Sequence, residues 1–229
     1  LDDVRARSST RDLFASSGAW TLDAGDSGRG SAVASGNLTL SVGAGAAVPH
    51  DASGGFHAPT ALRALPSGGA RGVRVRITWS SLSALDNRLA VALCDATGTW
   101  RIALEINGGS NLIEFLRLAP TVSVFASVTV ASVRSLALEL VAGRFVAWYA
   151  TTATPTEGDW RLITGVEASG YSAAQAAVSH VEISHPTYAT TVATSTAVVT
   201  VCGCATGTTV CNGQCVNLRP VCQKYRGEG

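Results

Sequence analysis

Methionine is absent from the 229 residues, and lysine appears once, at Lys224, beside sixteen arginines. Without an initiator, Leu1 is expected to be either a processed end or the start of a fragment. Charge is scarce as well: Asp, Glu, Lys and Arg make 14% of the chain. Seventeen basic residues against 16 acidic ones leave a formal charge of +1, too little to draw the chain to nucleic acid or an anionic membrane. No charged-then-apolar signal segment opens the sequence. No run approaches the ~20 apolar residues of a spanning helix, so membrane insertion is not expected. The four histidines, His50, His57, His180 and His185, show no metal-ligand spacing, and the last two are read as exposed residues flanking a strand.

What the chain does have is apolar content, 46%, carried on Val, Ala, Leu and Ile among many Thr, Ser and Gly. That is enough for one large β-domain with an appendage, or two small domains. Residues 135–164 carry the strongest pattern. Leu136, Leu138 and Leu140 alternate with Ala137, Glu139 and Val141, a second β-rich run covers 144–150, and Trp160 opens a third. Similar alternation marks 37–42, 72–79 (Val73, Val75, Ile77 and Trp79 on one face), Leu89/Val91/Leu93, and Ile102/Leu104/Ile106. A further row is read as Val122, Val124, Ala126, Val128 and Val130, alternating with Thr121, Ser123, Phe125, Ser127 and Thr129. Turn signals at 95–98 and at Asn107-Gly108-Gly109 separate these runs.

Residues 168–177 form the one short helix expected, and 178–185 close the sheet with Val181 and Ile183 inward. Arg74, Arg76, His180 and Glu182 are expected to make cross-strand charge pairs if their two strands are neighbours. The organisation expected is an arm or linker at 1–11, an all-β sandwich at 12–186, a Thr/Val-rich edge strand or stalk at 187–201, and a cysteine-rich tail at 202–229.

The opening DLFASSGAWTLDAG and the stretch SLALELVAGRFVAWYATTATPTEGDWRLIT resemble concanavalin A-like and laminin G-like modules over residues 12–190. In those modules an aromatic-Tyr strand is followed by a small loop and a Trp. The resemblance implies a jelly-roll antiparallel β-sandwich. Such modules often place calcium or ligand contacts at turns like Asp86-Asn87-Arg88 and Asp95, but turns favour Asp and Asn anyway, so no cofactor is expected and calcium is raised by the resemblance alone. Trp20 and Trp79 belong to the core by parity. Trp100, Trp148 and Tyr149 lie near loops and are the candidate sugar-stacking platforms.

Glycosidases of the concanavalin-like class carry E-x-D-x-x-E on one strand, which supplies the paired carboxylates of glycoside cleavage. Here Glu105 and Glu139 each stand alone on their strands, so hydrolysis of that kind is not expected unless distant strands assemble a pair. Gly25-Asp26-Ser27-Gly28 imitates a serine-protease motif but has no histidine strand upstream and reads as a turn. Asn37-Leu38-Thr39 is a glycosylation sequon, meaningful only in a eukaryotic secretory pathway.

The tail reads CGCATGTTVCNGQCVNLRPVC, with cysteines at Cys202, Cys204, Cys211, Cys215 and Cys222. Its spacings lack the paired C-x-x-C knuckles of zinc ribbons, which favours disulfides over metal. Such a short polar segment cannot build a core and needs cross-links. Asn212-Gly213 should reverse the chain between Cys211 and Cys215. The fifth cysteine is left over, bonded to another chain, or paired with Cys94, which otherwise reads as a small apolar strand residue. Residues 207–218 also resemble the core of stigma-specific-protein-like repeats, extracellular disulfide-stapled modules, and depart from them after Leu218.

The function expected is a non-enzymatic recognition or adhesion module, extracellular or displayed on a cell surface. It would bind a glycan or a cell-surface receptor. The alternative is a structural subunit that contacts other copies of itself, such as a phage tail-fibre domain on a virion or an extracellular filament.

Overall fold

The computed structural model describes residues 9–10, 20–23, 29–34, 37–42, 60–65, 72–82, 88–96, 100–117, 123–141, 144–167, 178–185, 193–203, 208–211 and 214–217. In chain order the strands are β1 (Ser9–Thr10), β2 (Thr21–Asp23), β3 (Arg29–Ala34), β4 (Asn37–Val42), β5 (Thr60–Ala64) and β6 (Gly72–Ser81). Then come β7 (Arg88–Cys94), β8 (Trp100–Asn107), β9 (Leu112–Arg117), β10 (Ser123–Thr129), β11 (Ser135–Val141) and β12 (Arg144–Ala150). A 3-10 turn, Glu157–Asp159, precedes β13 (Arg161–Glu167), β14 (His180–Ser184), β15 (Ala193–Gly203), β16 (Thr208–Cys211) and β17 (Gln214–Asn217).

Among the described residues the strands form two large antiparallel sheets and a separate two-stranded hairpin, β16–β17. The first runs β13-β12-β11-β6-β15-β4-β3, with β1 also on β15; the second runs β10-β9-β8-β7-β14-β5-β2. Each sheet turns one face to a shared core. Val75, Ile77, Trp79, Leu136, Leu138 and Leu140 come from the first sheet, and Leu89, Val91, Leu93, Ile102, Leu104 and Ile106 from the second. Each such side chain contributes about 1.5–3 kcal/mol relative to exposure, and an apolar face of this size is what binds the sheets together. Among the described residues no helix is long and apolar enough to cross a membrane.

The second sheet is buried on its outward face too, where Ala90, Ala92, Cys94, Ala103 and Leu116 pack together. That is why LAVALC reads as a continuous apolar run rather than an alternation. Cys94 sits there as one more small apolar side chain.

Four sequence expectations change. The alternation through 122–130 is broken by a bulge between Val124 and Ala126. As a result Phe125, Val128 and Val130 pack toward the core while Val124 is 54% exposed, so Val124 and Val128 do not share a row. The run 187–201 is neither edge nor stalk, because its described part, β15, lies inside the first sheet. It pairs with β6 through Thr196–Gly203 on one side, and with β4 and β1 on the other. ATSTAVVTVCG carries no charge or proline that would mark an edge, which suits an interior strand. The expected charge pairing of Arg74 and Arg76 with His180 and Glu182 fails because β6 and β14 belong to different sheets. Finally, His185 is fully buried instead of exposed. The helix expected at 168–177 lies outside the described residues.

Candidate functional site: a tryptophan face on the first sheet

With Leu136, Leu138 and Leu140 turned inward, β11 must turn Ala137 and Glu139 outward. The ladder sets Ala137 opposite Arg76 on one side and Trp148 on the other, and Trp148 opposite Leu162. Arg76, Ala137, Trp148 and Leu162 therefore form one row across four strands on the outward face. A bulge between Ala147 and Trp148 decides the last member of the row. It makes Ile163 the extra residue, packed toward the core, and leaves Leu162 outward and 56% exposed.

The Trp148 indole is half-buried and held in place: its Nε1–H donates to Glu139 Oε2 at 2.9 Å. Glu139 is only 7% exposed, so this hydrogen bond satisfies a carboxylate that water reaches poorly. Trp160 folds back from the β12–β13 connection onto Ala137, Ala150 and Trp148, and the Arg76 guanidinium lies over its ring at 5.3 Å. The connection is shaped to deliver it. Asp159 Oδ2 accepts from the Thr156 amide and hydroxyl, both at 2.7 Å, and Arg161 Nη1 donates to the Gly158 carbonyl at 2.9 Å. The Thr156 hydrogen bonds, side chain first, hold the Asp159 carboxyl below the usual carboxylate range. At the other end Ser135 Oγ donates to the Thr152 carbonyl at 2.9 Å, so Thr78 Oγ1, 2.7 Å away, is the donor in their shared bond.

A second polar cluster lies on the outward face of the second sheet. Glu105 and Glu114 stand directly opposite each other on β8 and β9. Glu105 thus has the cross-strand carboxylate neighbour that one strand alone did not supply. Arg88 Nη1 bonds both, reaching Glu114 Oε2 at 2.7 Å and pairing closely with Glu105 Oε1. Burial alone would lower the Arg88 pKa, but the attraction of Glu105 and Glu114 and their hydrogen bonds outweigh it and raise it. Glu105 is 1% exposed.

The sequence candidates are thus dispersed. Trp148 is on the outward face, whereas Tyr149 packs against the main core. Arg88 is engaged by Glu105 and Glu114, and Asp95 follows β7, half-buried. Trp100 opens β8 opposite Cys94, and its side chain lies outside the described residues, as do Asp86 and Asn87 altogether. Among the described residues no group of three or more His, Cys, Asp or Glu side chains is gathered to hold a metal. Cys202 lies in β15 opposite Arg74 and Ser9. Cys211 and Cys215 belong to the β16–β17 hairpin, whose strands are separated by Asn212 and Gly213. Cys204 and Cys222 lie outside the described residues. Sequence reasoning missed Leu162, which the bulge exposes, and Glu139 as the residue that holds Trp148. The outward parity of Glu139 was visible, but its partner was not.

The architecture is that of the concanavalin A-like sandwiches, a fold shared by lectins, carbohydrate-binding modules and glycoside hydrolases. The chain is similar to the CBM2 module of Lactobacillus casei BL23 phage J-1 evolved Dit, with a TM-score of 0.51 and 10% identity over 82% of this chain and 94% of that one. It is also similar to the Bacillus licheniformis β-glucanase, with a TM-score of 0.52 and 10% identity over 84% and 96%. The Ca2+/Man2-bound exoplasmic/lumenal domain of VIP36 has a TM-score of 0.51 and 8% identity over 81% of each chain. No protein-family model matches the chain, and none of the curated proteins matches it in sequence.

Proposed function

We propose that this chain is a non-enzymatic carbohydrate-recognition module, working outside a cell, with Trp148 as its stacking platform. The observation that carries the reading is the Trp148 indole fixed by Glu139 beside exposed Leu162 on a sheet face. An aromatic ring on a rigid strand offers a sugar its apolar face with little ordering cost. Two arrangements support the absence of glycoside cleavage. Glu139 is engaged by Trp148, and the Glu105–Glu114 pair is bridged by one guanidinium, with Glu105 shut away from substrate and water. Fold neighbours include the phage module and the lumenal lectin-like domain, which makes binding without catalysis a familiar use of this architecture. Affinity electrophoresis of the full chain through gels containing a panel of soluble polysaccharides tests the reading. At least one polysaccharide should retard the protein, and Trp148→Ala, with an unchanged circular dichroism spectrum, should migrate as in the blank gel. Equal retardation of both proteins would overturn it.

A further inference from the structure

We propose that the Trp148 face takes a β-linked pyranose chain with equatorial hydroxyls, of the glucose or N-acetylglucosamine type. This rests on Trp148 being the platform. Two polar groups of the described row are engaged: Trp148 Nε1–H is given to Glu139, and Arg76 lies on the Trp160 ring, beyond Ala137 in the row. Trp148 and Leu162 are left to offer an apolar strip two strands wide. The strip is bounded inward by Trp160 packed on Ala137, and it ends at β13, the last strand of its sheet.

A strip of this kind recognises flatness. A pyranose with every hydroxyl equatorial presents C–H bonds on both faces and can lie on the indole and the leucine together. An axial hydroxyl would be pressed against Leu162 or would lift the ring, and either should weaken binding about tenfold. Neighbouring strands are ~4.8 Å apart, comparable with the advance per sugar of an extended β-linked chain, so Trp148 and Leu162 can serve consecutive sugars.

The test is affinity electrophoresis of the full chain through hydroxyethyl cellulose and a soluble β-1,4-mannan, whose free 2-hydroxyls are axial, with pull-down on chitin as a second arm. Retardation by the cellulose derivative should be at least about tenfold stronger than retardation by the mannan, and chitin should capture the chain. Leu162→Ala should weaken that retardation about tenfold, and Trp148→Phe should retain part of it. Equal or stronger binding to the mannan that disappears in Trp148→Ala would overturn the ligand class and leave the platform standing. If no binding in any arm depends on Trp148, the platform falls and this inference with it.

Discussion

His185 closes β14 fully buried, and burial pushes its pKa down to about 4. In an unfolded chain a histidine titrates near 6.5. Between those values the unfolded chain binds a proton that the fold refuses, so acid favours unfolding. This contribution is fully present above about pH 6.5 and is lost progressively as pH falls toward 4, to the extent of roughly 3 kcal/mol. Urea midpoints measured from pH 7 to pH 4 should therefore fall less steeply for His185→Gln than for the wild-type chain. Parallel curves would mean that the imidazole is solvated in the fold. Arg88 shows the opposite use of burial at the same scale. Its cation is retained because two carboxylates stand across from it, and removing one of the three groups would strand charge in a dry place.

At the scale of elements, much was legible in the sequence because burial on one face leaves a period-2 record. Leu136/Leu138/Leu140 and Val75/Ile77/Trp79 announced their strands and their inward faces. Bulges erase that record. The extra residues Phe125 and Ile163 each shift parity within a strand, so exposed Val124 and Leu162 could not be placed from alternation. Pairing partners were also invisible, since nothing local in ATSTAVVTVCG says which strands it will join. Nor could a single strand reveal that Glu105 would face Glu114. The turn signal at Asn107 was read correctly. Asn107 Oδ1 accepts from the Gly109 and Ser110 amides, though Asn111, not a glycine, takes the positive φ of 55° in that hairpin. The Asn212-Gly213 reversal likewise sits between the paired strands β16 and β17. That hairpin has only four-residue strands, so cross-links are expected to hold it. At least two of the five tail cysteines should be bonded to each other, each bridge contributing about 2–3 kcal/mol. Mass spectrometry of the unreduced chain from an oxidising compartment should find those bonded peptides, and five thiols would refute the pairing.

The whole molecule is a sandwich whose first sheet is assembled from distant parts of the chain. β15 lies between β4 and β6, and on the described pairings it alone joins the β3–β4 hairpin to β6, β11, β12 and β13. Contacts of such wide sequence separation form late and slowly, because the long loop must close before any ladder bond rewards it. During synthesis, residues 193–203 leave the ribosome after every other strand of the sandwich, so two half-sheets must wait for a strand that does not yet exist. A stalled chain ending at residue 192 should be digested by protease as fast as an unfolded one, and resistance should appear only once residue 203 has cleared the exit tunnel. Early resistance would show that the halves close without their central strand. A sandwich that cannot close until residue 203 is made would stay open to threading through a translocation pore while its earlier strands are synthesised, as the extracellular role proposed above requires.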